Sequence, residues 1–438
     1  MNQDFLQLDI HIGQDRQGTY FTIPFTVPDD IESIQINYEY PRRPLVEQPL
    51  EKGVFIAATE MNIIDIGVVD PLGGQVGASG SDKTEVILSE THATPGYKAG
   101  RIMAGEWQII VGAYKVAADG VNVNYTIRFT GKALRLLKGD LHVHSVGSDG
   151  VHTLAELSFK ARANGLDFLA ITDHNQMISK EAFPDIPGLT LIPGVEWTHY
   201  RGHANFLGVD RPYDGPFFTN SEEEVVARFT GARQRGALIT VNHPFEGSSS
   251  FQFDMSKLPF DCLEVWNGPM RESNLQAVGL WQHMLAGGQR VPICGGSDYH
   301  RDTPFIFLGG PTMAVYALSA GASDILSALR QGHSFITFAP NGPVIEMTAG
   351  ESMLGDEVNW TDQQEIRIKI NGLLAGDEVR VITADSNETV CKATADGELD
   401  IRYKMIKPGF GRVEVARAFL PGLPLLPALL SNPIYFKA

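Results

Sequence analysis

The sequence predicts a multidomain chain in which an α/β barrel of mostly parallel strands lies between two all-β regions. Three observations lead there. Residues 1–134 carry period-two alternation broken by Gly, Pro and Asp, with no long helical pattern. From Leu136 apolar runs of strand length alternate with capped helical segments, and βα units at this density imply a barrel. After Gly342 the alternation returns to period two. A chain of 438 residues also exceeds what one hydrophobic core ordinarily supports. The expected parts are therefore 1–134, 135–341 and 342–438.

In the first part, Tyr20–Val27, Ser33–Tyr38, Trp107–Val111 and Val123–Phe129 read as strands of a β-sandwich. The run Gly105-Glu-Trp-Gln-Ile-Ile-Val-Gly112, followed by Asn124-Tyr-Thr-Ile, resembles the jelly-roll modules appended to secreted bacterial hydrolases. A lid or dimer surface is the favoured role, with carbohydrate or partner binding the alternative. In the centre, Thr153-Leu-Ala-Glu156 is a capping box opening a helix to about Asn164, with Gly165 as its stop. Ser221-Glu-Glu-Glu224 opens another towards Gln234, stopped by Gly236. Strands are expected at Thr190–Val195, Ala204–Gly208, Ala237–Val241, Cys262–Val265 and Pro292–Gly295, and helices near Asn274–Ala286 and Ser323–Gln331. In the last part Glu365–Ile370, Glu378–Ile382 and Arg412–Val415 suit a second sandwich of Ig-like size. The tract Ala418–Leu430, interrupted by Pro421, Pro424 and Pro427, reads as a Pro-rich connection or edge, too short to span a bilayer.

Composition narrows the function. Hydrophobic residues at 43% and charged residues at 20% are those of an ordinary globular protein. With 35 Lys+Arg against 52 Asp+Glu the net charge is −17, which repels a polyphosphate backbone and disfavours nucleic acid as a partner. The first residues have neither a basic nor a continuous apolar segment, so a cytoplasmic location is expected. Cys262, Cys294 and Cys391 are odd in number and widely spaced, as suits reduced thiols rather than a disulfide framework.

The central part carries the chemistry. Gly139-Asp-Leu-His142-Val-His144 ends an apolar run in two histidines at i and i+2, on one face of a strand. Further polar groups follow at successive strand ends: Asp149, Asp173-His174, Glu196, His203, His243, and Asp298 with His300. A lone histidine is usually a core or surface residue. Seven segments carrying His, Asp or Glu are not explained by packing, since unpaired imidazoles and carboxylates are costly to bury. Side chains at strand C-termini are where α/β sheets build active sites, so a metal centre is expected there. His11, His92, His152, His283 and His333 fall outside these segments and read as structural or surface residues.

On these segments, Asp140 to His300, and on Ile325-Leu-Ser-Ala-Leu-Arg-Gln-Gly-His-Ser-Phe-Ile-Thr337, the chain resembles the PHP family, named for the phosphoesterase domains of bacterial DNA polymerases and histidinol phosphatases. Within it the chain is similar to the CehA/McbA-like metallohydrolases, which carry flanking β domains and a tail like Leu430-Ser-Asn-Pro-Ile-Tyr-Phe436. The resemblance implies a distorted, TIM-like (β/α)7 barrel holding two or three divalent ions. His142, His144, Glu196 and Asp298 would hold the first. Glu196 would bridge to a second, completed by His243 and by His203, with Asn205 and His199 as alternatives to His203. Asp149, His174 and His300 would hold the third, Asp149 standing where many relatives have histidine.

Nitrogen and oxygen donors without thiolate suit Mn, Zn or Fe. Ions sharing a water would lower its pKa from about 15.7 to near 7, providing hydroxide to attack phosphorus. His300 is the expected proton donor to the leaving group. Asp173 is expected to accept from a ligand imidazole and fix its tautomer, with Thr172 and Asn242 in similar positioning roles. Arg271 and Arg301 are candidate phosphate ligands, while Trp197 and Trp266 read as core. No Gly-x-Ser-x-Gly elbow, Cys–His pair or Gly-rich phosphate loop competes. The expected activity is hydrolysis of a small phosphate ester or nucleotide, with no membrane partner and the β domains as surfaces for a homo-oligomer. The alternatives are hydrolysis of a carbamate or carboxylic ester, and a non-catalytic metal-binding scaffold.

Overall fold

The structure, a computed structural model, describes residues 5–43 and 60–438 and divides into two compact units, 1–133 and 134–438. The first four residues, which enter the reading of the N-terminus, lie outside the described ones. The fold is mixed α/β with much sheet and few helices. Among the described residues no helix is long and apolar enough to cross a membrane.

The described residues of the first unit form two four-stranded sheets, every pair antiparallel. Strand Val121–Gly131 alternates buried and exposed residues, and its buried Val123, Tyr125 and Ile127 join Ile34, Ile36, Ile109 and Val111 in one core. Period two puts one face of each sheet inside, as the alternation in the sequence requires.

In the second unit one sheet is organised around three parallel strands, Arg135–Asp140, Phe168–Ile171 and Thr190–His199. It continues through Gly202–Leu207 to a second parallel set, Leu238–Val241, Cys262–Asn267 and Ile293–Gly296. Strand Gly202–Leu207 runs antiparallel to both neighbours. The expectation of a mostly parallel sheet thus meets an inserted hairpin, because only Tyr200-Arg201 separates the two strands and so short a turn cannot make a parallel crossover. The two ends of the strand run approach each other, Val143 bridging in parallel to Tyr299. Helices Leu154–Ala163, Glu222–Gln234, Glu272–Ala286 and Ala322–Gln331 cover the sheet. The first has the capping box read from the sequence: Thr153 Oγ1 accepts from the Glu156 N–H, and Glu156 accepts from the Thr153 N–H at 2.8 Å.

The same sheet runs on past residue 341. Strand Ser334–Thr337 pairs with Leu426–Ser431, which pairs in turn with Gly409–Arg417. The Pro-rich tract is therefore only half a connection, since its end is a buried central strand rather than an edge. Pro427 is accommodated where the register shifts between Val415 and Ala416, a bulge that asks for no N–H at that position. A separate sheet including Val344–Ala349, Glu365–Leu373 and Gly397–Lys404 packs its apolar face into the same C-terminal core.

Candidate metal centre

All nine ligand candidates, His142, His144, Asp149, His174, Glu196, His203, His243, Asp298 and His300, belong to four overlapping groups whose donor atoms lie within 4.8 Å of one another. They come from different strand ends, and each local chain path has a physical cause. Asp140 closes the strand carrying the first two histidines. Its buried carboxylate accepts from the N–H groups of His142 at 3.2 Å, Ser297 at 2.9 Å and Gly309 at 2.9 Å, and from the Ser297 hydroxyl. Burial pushes its carboxyl up to about 6 even with these donors present. One side chain thereby ties the segment of His142 to the segment of Asp298. Gly296 makes the close approach feasible, because a Cβ there would stand 2.4 Å from His142 Cβ. His243 and Asp298 both have positive φ, 26° and 51°, a conformation that costs non-glycine residues energy and is held by surrounding contacts.

Glu196 is at the middle of the cluster and fully buried. Its Oε1 lies 3.3 Å from His142 Nε2 and 3.2 Å from both His203 Nδ1 and His243 Nε2. Its Oε2 lies 2.7 Å from His174 Nδ1 and 3.6 Å from His144 Nε2. Burial alone would push this carboxyl up, but His142, His174 and His203 outweigh burial and hold it well below the carboxylate range. Asp298 behaves likewise, with His142 and His144 opposing its burial. His144 Nε2 is 3.0 Å from Asp298 Oδ1, and His142 Nε2 is 3.5 Å from it. On the more open side, Asp149 places Oδ1 3.1 Å from His300 Nε2 and Oδ2 3.7 Å from His174 Nε2.

The arrangement fits bound cations. His142 Nε2, both ring nitrogens of His144, Glu196 Oε2 and Asp298 Oδ1 are buried and, although Glu196 Oε2 is 2.7 Å from His174 Nδ1 and Asp298 Oδ1 3.0 Å from His144 Nε2, none is aligned for a hydrogen bond. Leaving one such atom unpaired costs about 1–3 kcal/mol, so five in one place call for a partner that accepts lone pairs. Donors about 2.1 Å from one ion stand roughly 3.0–3.5 Å apart at tetrahedral or octahedral edges. The separations of 3.0 Å between His144 Nε2 and Asp298 Oδ1, 3.3 Å between His142 Nε2 and Glu196 Oε1, and 3.5 Å between His142 Nε2 and Asp298 Oδ1 follow that spacing.

Other residues separate into those at the cluster and those away from it. On the antiparallel hairpin His203 reaches Glu196, while Asn205 donates to the Leu141 carbonyl at 3.3 Å. His199 instead faces the Thr219 carbonyl at 3.2 Å and stacks on Trp197. Asp173 departs from its expected role. Its carboxylate accepts from Ser145 N–H at 2.7 Å, Ser145 Oγ at 2.6 Å and Ser148 Oγ at 2.8 Å, so it clamps the loop before Asp149 rather than an imidazole. Thr172 accepts from Val143 N–H, and Asn242 donates to Glu196 Oε1 at 3.0 Å. Arg271 pairs with Glu246 at 3.0 Å and donates to Asn267 Oδ1, while Arg301 is exposed. Trp197 and Trp266 are buried, their indole N–H groups bonded to the carbonyls of Phe217 and Gly268.

The tautomer-fixing contact that sequence reasoning assigned to Asp173 belongs to Glu264, whose Oε1 lies 2.9 Å from His142 Nδ1. The signal for it was a lone carboxylate inside the apolar run Cys262-Leu-Glu-Val-Trp266. Asp140 and Asn267 were missed for the same reason, each being one polar residue at the end of a strand.

No protein-family profile and no curated protein matches the chain. Among solved structures, a two-domain protein from Bacteroides vulgatus containing a predicted PHP-like metal-dependent phosphoesterase is 20% identical, covering 68% of this chain and 95% of that one at a TM-score of 0.40. A putative metal-dependent phosphoesterase from Bifidobacterium adolescentis is 18% identical, covering 39% and 90% at a TM-score of 0.30. An amidohydrolase from Chromobacterium violaceum with bound sulfate and no metal is 17% identical, covering 38% and 89% at a TM-score of 0.28.

Proposed function

We propose that the chain is a metal-dependent hydrolase of the PHP type, and a phosphoesterase acting on a small phosphate ester. The observation that carries this reading is the convergence of six imidazoles and three carboxylates, of which His142, His144, Glu196 and Asp298 keep buried nitrogen or oxygen atoms without a hydrogen bond. In the same reading the strand run from Arg135 to Gly296 is that family's distorted (β/α)7 barrel, with the β regions flanking it.

His142, His144, Glu196 and Asp298 would hold one ion, Glu196 with His243 and His203 a second, and Asp149, His174 and His300 a third. When bound, such ions lower the pKa of a shared water towards 7 and draw charge from phosphoryl oxygens. Three divalent ions would bring +6 against −3 from the three ligand carboxylates and −1 from Glu264, so the fully loaded centre would be positive. That local sign reconciles an anionic substrate with a chain of net charge −17. His300 is half-buried at the open side, with Nδ1 directed at the Asp298 carbonyl at 2.9 Å. Its Nε2, 3.1 Å from Asp149 Oδ1, would hold the third ion when that site is filled and carry a proton to the leaving oxygen when only the other two are. Arg271, already neutralised by Glu246, would have to exchange that partner for a substrate oxygen.

The test is turnover. Chelator-stripped protein reloaded with Mn²⁺ or Zn²⁺ should release phosphate from members of a phosphate-ester panel and lose that activity on chelation. Hydrolysis of aryl carbamates or carboxylic esters alone would replace the phosphoesterase reading, and metal binding without any turnover would leave a scaffold.

A further inference from the structure

Glu264 sits in the middle of strand Cys262–Asn267, buried between Leu263 and Val265. Its two oxygens receive three donors, two from other segments and one from the end of its own strand. Oε1 faces His142 Nδ1 at 2.9 Å, and Oε2 accepts from the His243 N–H at 2.8 Å and from Asn267 Nδ2 at 3.3 Å. Asn267 Nδ2 also reaches Asp298 Oδ2 at 3.3 Å. One carboxylate thus touches, directly or through one amide, the segments of His142, His243 and Asp298. Two of those three residues, His243 and Asp298, are held at positive φ.

We infer that Glu264 is the positioning residue of the metal centre, selecting Nε2 of His142 as its ligand atom and holding the strained His243 backbone in place. This rests on the metal-centre reading above. An ionised carboxylate can only accept, so the His142 nitrogen facing it carries the proton and the opposite nitrogen, Nε2, is left with a lone pair for a cation held together with Glu196 and Asp298. The same logic says why a carboxylate is needed. All three facing groups are donors, and an amide would offer one oxygen while turning an NH2 towards a second donor. Glu264 touches no reacting atom, and its effect passes through the ligands it orients.

The experiment uses the full chain and Zn²⁺ in competition with a chromophoric chelator. Glu264→Gln should bind its tightest Zn²⁺ about 10–100-fold more weakly than the unaltered protein. In the Zn²⁺-loaded unaltered protein, ¹⁵N shifts of the histidine rings, assigned by loss of one set in His142→Gln, should show Nδ1 protonated and Nε2 metal-bound. A folded Glu264→Gln variant with unaltered Zn²⁺ affinity, its urea midpoint alone lowered, would overturn the inference by making Glu264 merely structural. So would a His142 bound through Nδ1. If Glu264→Gln does not fold, the ring-nitrogen measurement still decides. Failure of the unaltered protein to bind Zn²⁺, Mn²⁺ or Fe²⁺ would instead remove the metal centre itself.

Discussion

At the scale of single residues, Glu196 is the side chain at the middle of the cluster. Its oxygens approach five imidazoles, and neither faces solvent. If Glu196 bridges two cations as proposed, Glu196→Gln removes the negative charge between them and substitutes an amide, which bridges poorly. Both ions should be lost together, and turnover should fall by about three orders of magnitude, since several kcal/mol of charge stabilisation disappear at about 1.4 kcal/mol per factor of ten. Asp149→Asn, on the open side among His144, His174 and His300, should empty chiefly one site. Bound metal per chain, measured by atomic emission on both variants, checks the contrast, and a Glu196→Gln protein with its full complement would end the binuclear reading. The cysteines allow a second residue-scale expectation. Cys262 and Cys294 are buried, and burial pushes both thiols far above the ordinary range, whereas Cys391 is half-buried. Native protein should therefore react with a thiol reagent at one position and denatured protein at three, counted by absorbance.

At the scale of elements, what was legible in the sequence followed from chemistry that repeats at fixed spacing. Period-two alternation exposed the strands, and Thr153 with Glu156 exposed a helix start, because both patterns are local. Histidines and carboxylates at strand ends stood out because apolar runs have no use for them. Glu264 and Asp140 did not stand out, since a buried carboxylate declares its role only through partners distant in sequence, such as His142 for one and Ser297 for the other. Asp173 was expected to accept from a ligand imidazole, while the fold delivers Ser145 and Ser148 to it. Gly296 tests how tightly the elements are held together. A methyl group there would meet His142 Cβ and N at 2.4 and 2.8 Å, so Gly296→Ala must push apart the strand ends that carry His142 and Asp298. Overpacking of this kind should cost about 1–3 kcal/mol in urea denaturation. It should also weaken metal binding, which an alanine at an open position such as Gly231 should not do.

At the scale of the whole molecule, the chain's charge and its division into units bear on the same question of what the metal centre needs. All nine ligand candidates lie in 134–438, and residues 1–133 bury their own core of Ile, Val, Tyr and Trp side chains. A fragment beginning at residue 134 should therefore fold and bind the same number of Mn²⁺ or Zn²⁺ ions as the full chain. Truncation at residue 341 is a different matter, although period-two patterning alone would cut there. Strand Ser334–Thr337 would lose its pairing with Leu429, Leu430 and Ser431. Asn432 would be lost too, and its side chain accepts from the Ile293 N–H at 3.0 Å and donates to the Ser334 carbonyl at 2.9 Å, joining two strands of the metal-bearing part. Losing it leaves buried backbone groups unpaired and exposes an apolar strand edge, conditions that favour aggregation. A fragment of residues 134–341 should accordingly be protease-sensitive and bind less metal than 134–438. If instead it resists proteolysis and holds a full complement of ions, the C-terminal strands are an appendage, and the stability of the metal centre comes from the strands between Arg135 and Thr337 alone.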